Sequence, residues 1–599
     1  MDYSTLKNLK TSEFEDAADG YRAASHMASS AKDALEQRIN VKLRESLSGE
    51  AAEAALTQLR SLAQDFHYTQ VECGVISTAL NALAADLQTA KKKLDAAVAD
   101  AEGEKFTVGN DGSVTYPAAG DEYRGKTPPG GTANGVTDET AKALNRQAAN
   151  FDPNPHFARA QAYADRITTA LEEATTADEK WAPKLRSLKA DDDLTVSAAD
   201  WVDAKKDTGG VSDGAERYLD SIKAPPQHGS PVDNAEWWKH LSTEDRDAYI
   251  SLHPASIGAM NGLPADARDE ANRTVLAETR GQYELRLEAI PKEPSPKFVA
   301  GPRGARVHSP EWLDWNSQYG KEHELLKGKL NGMRAIQDRF DRTGWRGLPE
   351  GYLLGFDPDG EGNGRVIIAN GNPDTADHTA IYVPGTKTSL ETIGDGADHA
   401  DLGRSERLWT QSNRLLPGKE ISTITWFDYD APDGISEATS DEYALKGSPK
   451  LQQFLEGNRT AHEQMTGDSG HTTVIGHSYG STLIGDTAKI ANWKESGVPA
   501  DDILVAGSPG MQVDRAADLG IDPRHMWAMG GGTDDLVVRY GGKFAGLGGN
   551  GVIPTDQAFG GNILKSDAGN HGAFWDEESA SLKNQAAIIT GRHDVATLD

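Results

Sequence analysis

A Gly-x-Ser-x-Gly pattern lies at residues 476–480, with Ser478 at its centre. An apolar run, 471–476, precedes it and a helix-compatible run, 481–490, follows it. A sharp turn between a strand and a helix lifts a serine hydroxyl out of the sheet, and flanking glycines leave space for the strained backbone. The pattern alone is common, but in this setting it predicts that Ser478 is a nucleophile rather than an ordinary turn serine.

A nucleophilic serine needs a base to take its proton and a carboxylate to hold the base, in the chain order Ser, Asp or Glu, His. Three histidines follow Ser478, namely His525, His571 and His593. His571 lies in a loop of small residues before a predicted closing helix, 576–587, so we predict that it is the base. His525 begins a strand-like run, at the wrong end of the sheet, and His593 lies near the end of the chain, where termini fray.

The carboxylate should follow the strand that begins at Arg524. Two adjacent residues, Asp534 and Asp535, occupy that position. We favour Asp535, because a short apolar pair follows it and returns the loop to the fold. Spacing does not separate neighbours, so Asp534 stays a rival acid, and Asp514, on the loop after the preceding strand, is a more distant one.

Acyl transfer also requires two backbone N–H groups aimed at the developing oxyanion, one after the nucleophile and one from the loop after the third strand. The N–H of Tyr479 fits the first position. The run Pro384-Gly385-Thr386 leaves a predicted strand, and the N–H of Thr386 is the candidate for the second. A purely structural turn explains the same run.

These residues need a scaffold, and composition divides the chain into five regions. From about residue 350 onward, short apolar runs alternate with helix-length spacers, which is typical of strands buried on both faces of a parallel sheet. The spacing of Leu80, Leu83, Leu87 and Leu94 instead gives one apolar stripe on a helix. We predict a helical hairpin or small bundle over 1–101, a Gly-, Pro- and Thr-rich linker over 102–135, a helical region over 136–231, a second helical region over 232–345 that packs on or covers the catalytic domain, and an α/β domain over 346–599.

Charge and composition exclude several classes of function. With 61 Lys and Arg against 92 Asp and Glu, the net charge is −31, which is unsuited to a general nucleic-acid binder. One cysteine, Cys73, excludes an internal disulfide. No Cys/His zinc pattern, phosphate-binding loop or dinucleotide fingerprint is present, so we expect no cofactor and no metal.

The N-terminus lacks a basic segment followed by an apolar one, and no run of about 18 apolar residues occurs. We therefore expect neither an ordinary signal peptide nor a transmembrane segment, and a cytoplasmic location by default.

Several motifs in the same order resemble an α/β-hydrolase-fold family, largely actinobacterial, known as a domain of unknown function. The resemblance covers about residues 232 to 599 and rests on Trp237-Trp238, Asn261–Pro264, Asn370–His378 leading into Tyr382–Thr386, Asp428–Pro432, the pattern at 476–480, and Gly507–Gly510. It implies the hydrolase fold and a Ser-Asp-His triad. It does not supply a substrate.

The first hundred residues resemble, more weakly, the helical hairpins of type VII secretion, in which a Trp-x-Gly turn joins two helices. The comparable place reads Ser48-Gly49-Glu50, without the Trp, and a Tyr-x-x-x-Glu occurs from Tyr68 to Glu72. Export by a type VII-like route is a hypothesis from this resemblance.

The sequence thus predicts a serine hydrolase that cleaves a small-molecule or lipid-like carboxylic ester through an acyl-enzyme on Ser478. The alternative is a hydrolase-fold platform whose helical N-terminal half binds a protein partner or serves export. A third hypothesis is that helices within 232–345, with Trp237, Trp238, Trp312 and Trp315, cover the site and select lipophilic acyl groups. A plain core explains those tryptophans equally well.

Overall fold

The structure is a computed structural model that describes residues 1–122, 125–189, 195–360, 362–394, 400–490 and 497–599. Its helices are α1 (Tyr3–Asn8), α2 (Ser12–Asp33), α3 (Asn40–Ser46), α4 (Glu50–Gly103), α5 (Glu139–Ala149), α6 (His156–Ser187), α7 (Ala198–Gly214), α8 (Glu216–Leu219), α9 (Pro231–His240), α10 (Thr243–Leu252), α11 (Pro254–Ala259), α12 (Ala265–Ala289), α13 (Pro310–Trp315), α14 (Lys321–Asp341), α15 (Asp401–Leu415), α16 (Glu442–Thr466), α17 (Tyr479–Ala488), α18 (Thr533–Ala545) and α19 (Ala580–Ile589). None of these described helices is long and apolar enough to cross a membrane.

The strands are short in the N-terminal half and longer in the C-terminal half. They are β1 (Thr107–Val108), β2 (Val114–Tyr116), β3 (Gly131–Ala133), β4 (Phe298–Ala300), β5 (Arg306–His308), β6 (Gly351–Asp357), β7 (Arg365–Asn370), β8 (His378–Val383), β9 (Ile421–Phe427), β10 (His471–His477), β11 (Asp502–Ala506), β12 (Met526–Met529) and β13 (Asn562–Ile563).

The chain forms two compact units, and neither is continuous in sequence. The helical unit comprises Met1–Ser29, Tyr68–Leu194 and Ala204–Ala224. The α/β unit comprises Ser30–His67, Thr195–Asp203 and Pro225–Asp599. The first predicted helical region, 1–101, therefore contributes residues to both units.

In the helical unit, a buried carboxylate joins distant helices. Asp86 on α4 accepts hydrogen bonds from the Lys180 ammonium at 2.5 Å and the Trp181 indole N–H at 2.9 Å. Arg217 adds an ion pair to the same carboxylate at 3.1 Å. Because the carboxylate is buried, these partners are needed to offset its loss of hydration.

The stretch predicted as a linker over 102–135 carries a small antiparallel sheet, β1–β2–β3. Phe106 is 3% exposed and Val114 is fully buried, so the stretch contributes to a core despite its Gly and Pro content. Composition did not predict this because only alternate residues of a three-residue strand need to be apolar.

In the α/β unit, residues from the N-terminal helices pack on helices from 232–345. Arg273 on α12 pairs with Asp269 at 2.7 Å and with Glu36 at 3.2 Å. Its guanidinium also stacks 3.7 Å from the ring centroid of Phe340 on α14. The helix α12 is in turn fixed to the edge of the main sheet, where Asp269 accepts the N–H of Leu353 at 2.6 Å.

The centre of the α/β unit is an eight-stranded sheet in the order β13-β12-β11-β10-β8-β9-β7-β6. Strands β9, β8, β10, β11, β12 and β13 run parallel, whereas β7 is antiparallel to both β6 and β9. The parallel arrangement brings the carboxyl ends of β8, β10, β11 and β12 to one edge. In open α/β sheets this edge is where ligands bind.

Alternate residues of the central strands enter two different cores. Val474 and Ile503 pack with Leu451 of α16 and Leu483 of α17 on one face. Ile475 and Leu504 pack with Leu408 of α15 and Leu582 of α19 on the other. Because helices cover both faces, the strands are apolar throughout. This continuous apolar character is why they could be predicted from the sequence.

Candidate active site

Ser478 lies between β10 and α17 in a strained backbone conformation, with φ 53° and ψ −126°. A non-glycine residue seldom adopts positive φ, and such strain is concentrated at functional sites. The flanking glycines are required by space: a Cβ on Gly476 would lie 2.8 Å from the Cα of Ser481, and one on Gly480 would lie 2.2 Å from the Val383 carbonyl oxygen. The Ser478 N–H donates to the Ala506 carbonyl at 3.0 Å, which fixes the turn to the neighbouring strand.

Asp535 and His571 form a hydrogen-bonded pair at the same edge of the sheet. Nδ1 of His571 lies 2.7 Å from Oδ1 of Asp535. The other carboxylate oxygen accepts the N–H of Gly531 at 2.6 Å and pairs with Arg539 at 2.8 Å. Asp535 is fully buried, so these partners hold a charged carboxylate in one orientation behind the imidazole.

The alternative acids and bases considered from the sequence make other contacts or are exposed to solvent. Asp534, one residue away, is exposed. Asp514 accepts the backbone N–H of Asn550 at 2.8 Å. His525 and His593 contact Asp502 at the opposite ends of the strands, at 2.9 and 3.0 Å. Of the residues predicted from sequence, the structure brings Ser478, Asp535 and His571 to one edge.

The turn that follows β8 runs alongside Ser478. A Cβ added to Gly385 would lie 2.8 Å from the Cβ of Ser478 and 3.1 Å from the backbone nitrogen of Tyr479. The Tyr429 hydroxyl donates to the Pro384 carbonyl at 2.8 Å and anchors this turn. The turn carrying Thr386 and the N–H of Tyr479 are therefore neighbours, as two oxyanion donors must be.

His477, which sequence reasoning did not single out, supports the His571 loop. Its Nε2 lies 3.0 Å from the His571 carbonyl oxygen, which can only accept a hydrogen bond, so Nε2 carries the proton. Burial lowers the pKa of His477 well below its ordinary value, and the charge of Arg404 lowers it further. A neutral His477 thus holds the backbone of His571, the predicted base. The sequence signal that could have identified His477 is its position beside Ser478 in the Gly-x-Ser-x-Gly pattern.

Ser478 and His571 line one cavity of about 560 Å³. Thr386, Lys387, Asp401 and Arg404 give it a polar side. The other side is apolar and is formed by Ile435, Val537, Val538, Ala545 and Leu547. Within the described part of the chain, the lining residues come from 385–571, and none comes from the helices of 232–345 proposed as a cover.

The tryptophans of that cover hypothesis pack locally. Trp237 and Trp238 are 1% and 6% exposed, and Trp237 packs edge-on against Tyr249 at 5.1 Å. The indole N–H of Trp315 donates to the Pro291 carbonyl at 2.6 Å, and Trp312 stacks on His308 at 4.0 Å. These contacts are those of a core.

A family profile described as alpha/beta hydrolase matches residues 359–545, which include Ser478 and Asp535. The chain is also 30% identical over 228 residues to the uncharacterized protein Rv0963c of Mycobacterium tuberculosis, a match that covers 37% of this chain and 79% of that protein. The chain belongs to the alpha/beta hydrolase family.

Longer similarity extends into the helical half of this chain. It is 28% identical over 489 residues to the uncharacterized protein Rv2079 of Mycobacterium tuberculosis, covering 76% of this chain and 71% of that one. The structure is also similar to that of an esterase of Pyrobaculum calidifontis, with 12% identity and a TM-score of 0.27 over 47% of this chain and 98% of the esterase. The predicted alpha/beta hydrolase fold with a large helical N-terminal region is confirmed, and the mycobacterial relatives fit the predicted actinobacterial family of unknown function.

Proposed function

We propose that this alpha/beta hydrolase is a serine hydrolase that cleaves carboxylic esters through an acyl-enzyme. The observation that carries the proposal is the strained serine, Ser478, on the same cavity as a histidine, His571, that is paired with a buried carboxylate. Each of these features is expensive in stability without a catalytic use, because strain and a buried charge both oppose folding.

In the first half of the reaction, Oγ of Ser478 attacks the ester carbonyl carbon while its proton moves to Nε2 of His571. Asp535 keeps the Nδ1 proton of His571 in place and stabilises the imidazolium. The carbonyl electron pair moves to the oxygen, which the N–H groups of Tyr479 and Thr386 stabilise. The C–O bond then breaks, and His571 returns the proton to the departing alkoxide.

In the second half, a water molecule attacks the acyl group on Ser478. His571 takes one proton from this water, and a second tetrahedral oxyanion forms at the same two N–H groups. Its collapse breaks the bond to Oγ, and His571 returns the proton to Ser478. The products are an alcohol and a carboxylic acid, and the enzyme is restored.

The cavity supports a substrate with an apolar arm. Val537 and Ile435, which line it, are 70% and 78% exposed, and Phe544 on the same helix as Val537 is 93% exposed. Exposed aliphatic and aromatic side chains at a cavity mouth gain stabilisation when an apolar group covers them. We therefore propose esters with an aliphatic acyl or alcohol group rather than highly charged ones.

The test is covalent labelling with a fluorophosphonate probe, followed by peptide mapping and by hydrolysis of p-nitrophenyl esters of increasing acyl length. Wild type should be labelled at Ser478 and turn over at least one ester. Ser478→Ala should lose labelling and about a thousandfold or more of kcat/KM. Ser436→Ala, at an exposed serine beside Ile435, is the matched control and should behave as wild type. Folded wild type that is neither labelled nor active on any ester would refute the proposal.

A second candidate function concerns the helical unit, for which we propose protein interaction, with type VII-like export as one form of it. Helix α5 has no buried residue, Leu144 on it is 61% exposed, and the following Phe151 is 82% exposed. A double variant, Leu144→Ser with Phe151→Ser, should retain ester hydrolysis and lose export from a host that has this secretion route. Export equal to that of wild type would contradict the role of this surface.

A further inference from the structure

Imidazole rings surround Asp502 at the amino ends of the central strands, the edge opposite to Ser478. His471 and Asp502 are the first residues of β10 and β11, and His593 follows α19 in the C-terminal segment. The Asp502 side chain is fully buried, whereas those of His471 and His593 are 22% and 30% exposed. The cluster thus has a buried anionic centre and an opening to solvent.

Both oxygens of the Asp502 carboxylate are in contact with ring nitrogens. Oδ2 lies 3.0 Å from Nε2 of His471 and 3.0 Å from Nε2 of His593. Oδ1 lies 2.7 Å from the indole nitrogen of Trp527 and 2.9 Å from Nδ1 of His525. Within the described residues, His471, Asp502 and His593 form a group that could hold a metal ion, with ligand atoms all within 4.8 Å of one another.

The protonation of His471 is fixed from its other side. Nδ1 lies 3.0 Å from the Ile589 carbonyl oxygen, which can only accept, so Nδ1 carries a proton. In the neutral ring Nε2 then has a lone pair, and that lone pair faces Oδ2 of Asp502. A cation between these two atoms, either a proton or a metal ion, joins the ring to the carboxylate, and a bound metal ion would take the place of the proton. A backbone carbonyl on the second ring nitrogen is also the usual way in which proteins orient a metal-binding histidine.

We propose that His471, Asp502 and His593 bind one divalent transition-metal ion, for which zinc is the probe. Two imidazoles with one carboxylate form a donor set that suits zinc, and not magnesium or calcium, which prefer oxygen ligands. Ligands about 2.0–2.1 Å from a tetrahedral zinc are about 3.3 Å apart, so each 3.0 Å separation from Asp502 needs to widen by about 0.3 Å. The two imidazole nitrogens, which lie within 4.8 Å of each other, need to come to the same distance. Because His471 and His593 are partly exposed, a water molecule would complete the tetrahedron.

The ion would be structural. It joins two adjacent strands to the segment that follows α19, and so it fastens the C-terminal segment to the sheet. His471 and Ser478 lie at opposite ends of β10, roughly 20 Å apart along the strand. The ion therefore takes no part in ester hydrolysis, and Ser478→Ala should bind zinc as wild type does, which separates this proposal from the proposed function.

The first test uses the full chain after chelator treatment and dialysis. Zinc titration should give one bound ion per chain and raise Tm by about 3–5 °C, with no rise in magnesium or calcium. His593→Gln should weaken zinc affinity by at least about tenfold and abolish the rise in Tm. His240→Gln, at a histidine whose side chain is 63% exposed, is the matched control and should bind zinc as wild type does.

The second test needs no variant and stands even if His593→Gln does not fold. Diethylpyrocarbonate modifies accessible histidines of the wild type, and peptide mapping locates them. Zinc should protect His471 and His593 while leaving His240 reactive. Zinc that protects neither residue, or binding that His593→Gln leaves unchanged, would overturn the proposal.

Discussion

The two ends of the central sheet both carry a buried aspartate beside histidine, and they differ in what else is present. At the carboxyl ends, Asp535 has one imidazole, His571, and its remaining partners are Arg539 and a backbone N–H. At the amino ends, Asp502 has three imidazoles and an indole N–H. The same pair of residue types therefore forms a single Asp–His pair, on the cavity that Ser478 lines, at one end, and a converging set of donors at the other, where several rings meet.

The two ends of one strand, β10, show the same contrast in the pKa of a histidine. Burial alone would lower the pKa of His471 at the start of β10, but its hydrogen bond with Asp502 and the charge of Asp501 raise it above its ordinary value. At the end of β10, burial and Arg404 keep the pKa of His477 well below that value. The environment of each strand end, rather than the residue type, sets the charge of the ring.

The largest expected effect comes from Asp535, the buried carboxylate at the carboxyl ends of the strands. Asp535→Asn keeps the shape of the side chain but removes the charge that holds the His571 tautomer. We expect kcat/KM for the best p-nitrophenyl ester to fall about a thousandfold or more, with zinc affinity unchanged.

Asp534→Asn is the matched control, because Asp534 is adjacent in sequence and exposed. It should stay within about twofold of wild type, since surface substitutions seldom have larger effects. A greater loss in Asp534→Asn than in Asp535→Asn would reverse our assignment of the acid.

The next effect concerns the space beside the nucleophile. In Gly385→Ala the new Cβ would lie 2.8 Å from the Cβ of Ser478 and displace the turn that carries Thr386. We expect kcat to fall about 10- to 100-fold, because catalysis is sensitive to displacements of this size. Gly434→Ala is the control, since a Cβ there meets nothing within 4 Å. Equal kcat in wild type and Gly385→Ala would exclude the turn from the oxyanion site.

Most of the main sheet was predictable because its strands are buried on both faces. The apolar runs predicted from about residue 350 onward correspond to β6 through β12, and the run predicted over 471–476 ends one residue before β10 does. The last strand, β13, was not predicted because it has two residues and one of them is Asn562. The closing helix was expected from residue 576, but α19 begins at Ala580, where the Ser579 hydroxyl caps it by accepting the N–H of Leu582.

The grouping of Ser478, Asp535 and His571 could be predicted because these residues follow a fixed chain order after a recognisable turn. The amino-end cluster could not, and no metal site was expected, because Asp502 is separated from His471 by 31 residues and from His593 by 91. Only the strand order brings them together. His593 was set aside as part of a fraying terminus, yet the segment after it is held, since the Thr597 carbonyl accepts the N–H of Lys565 at 2.9 Å.

A smaller effect is expected at the apolar side of the cavity. Val537→Asp places a charge where we propose that an aliphatic group lies, so the ratio of kcat/KM for long over short acyl esters should fall about threefold to tenfold. Leu536→Asp is the control, because Leu536 is 41% exposed on the same helix and is not among the described residues that line the cavity. An unchanged ratio in Val537→Asp would remove the apolar arm from the proposed substrate.

The smallest effect tests the charge state of His477. Its pKa lies well below 6.5 in the folded chain, so the unfolded chain binds more protons as pH falls through about 6.5. The contribution of neutral His477 to the free energy of unfolding is therefore complete above about pH 6.5. Below that pH it is lost, so the free energy of unfolding falls by about 1.4 kcal/mol between about pH 7.5 and 5.5.

His477→Gln keeps a donor for the His571 carbonyl but has no titrating ring. Over the same pH interval, wild type should lose about 1.4 kcal/mol more free energy of unfolding than this variant. The free energy of unfolding is measured by urea titration, using the transition at which ester hydrolysis is also lost. His240→Gln is the control and should lose as much free energy of unfolding as wild type. Parallel losses in wild type and His477→Gln would mean that His477 is charged in the folded chain. In that case the pKa values of His471 and His477, at the two ends of β10, would not be shifted in opposite directions.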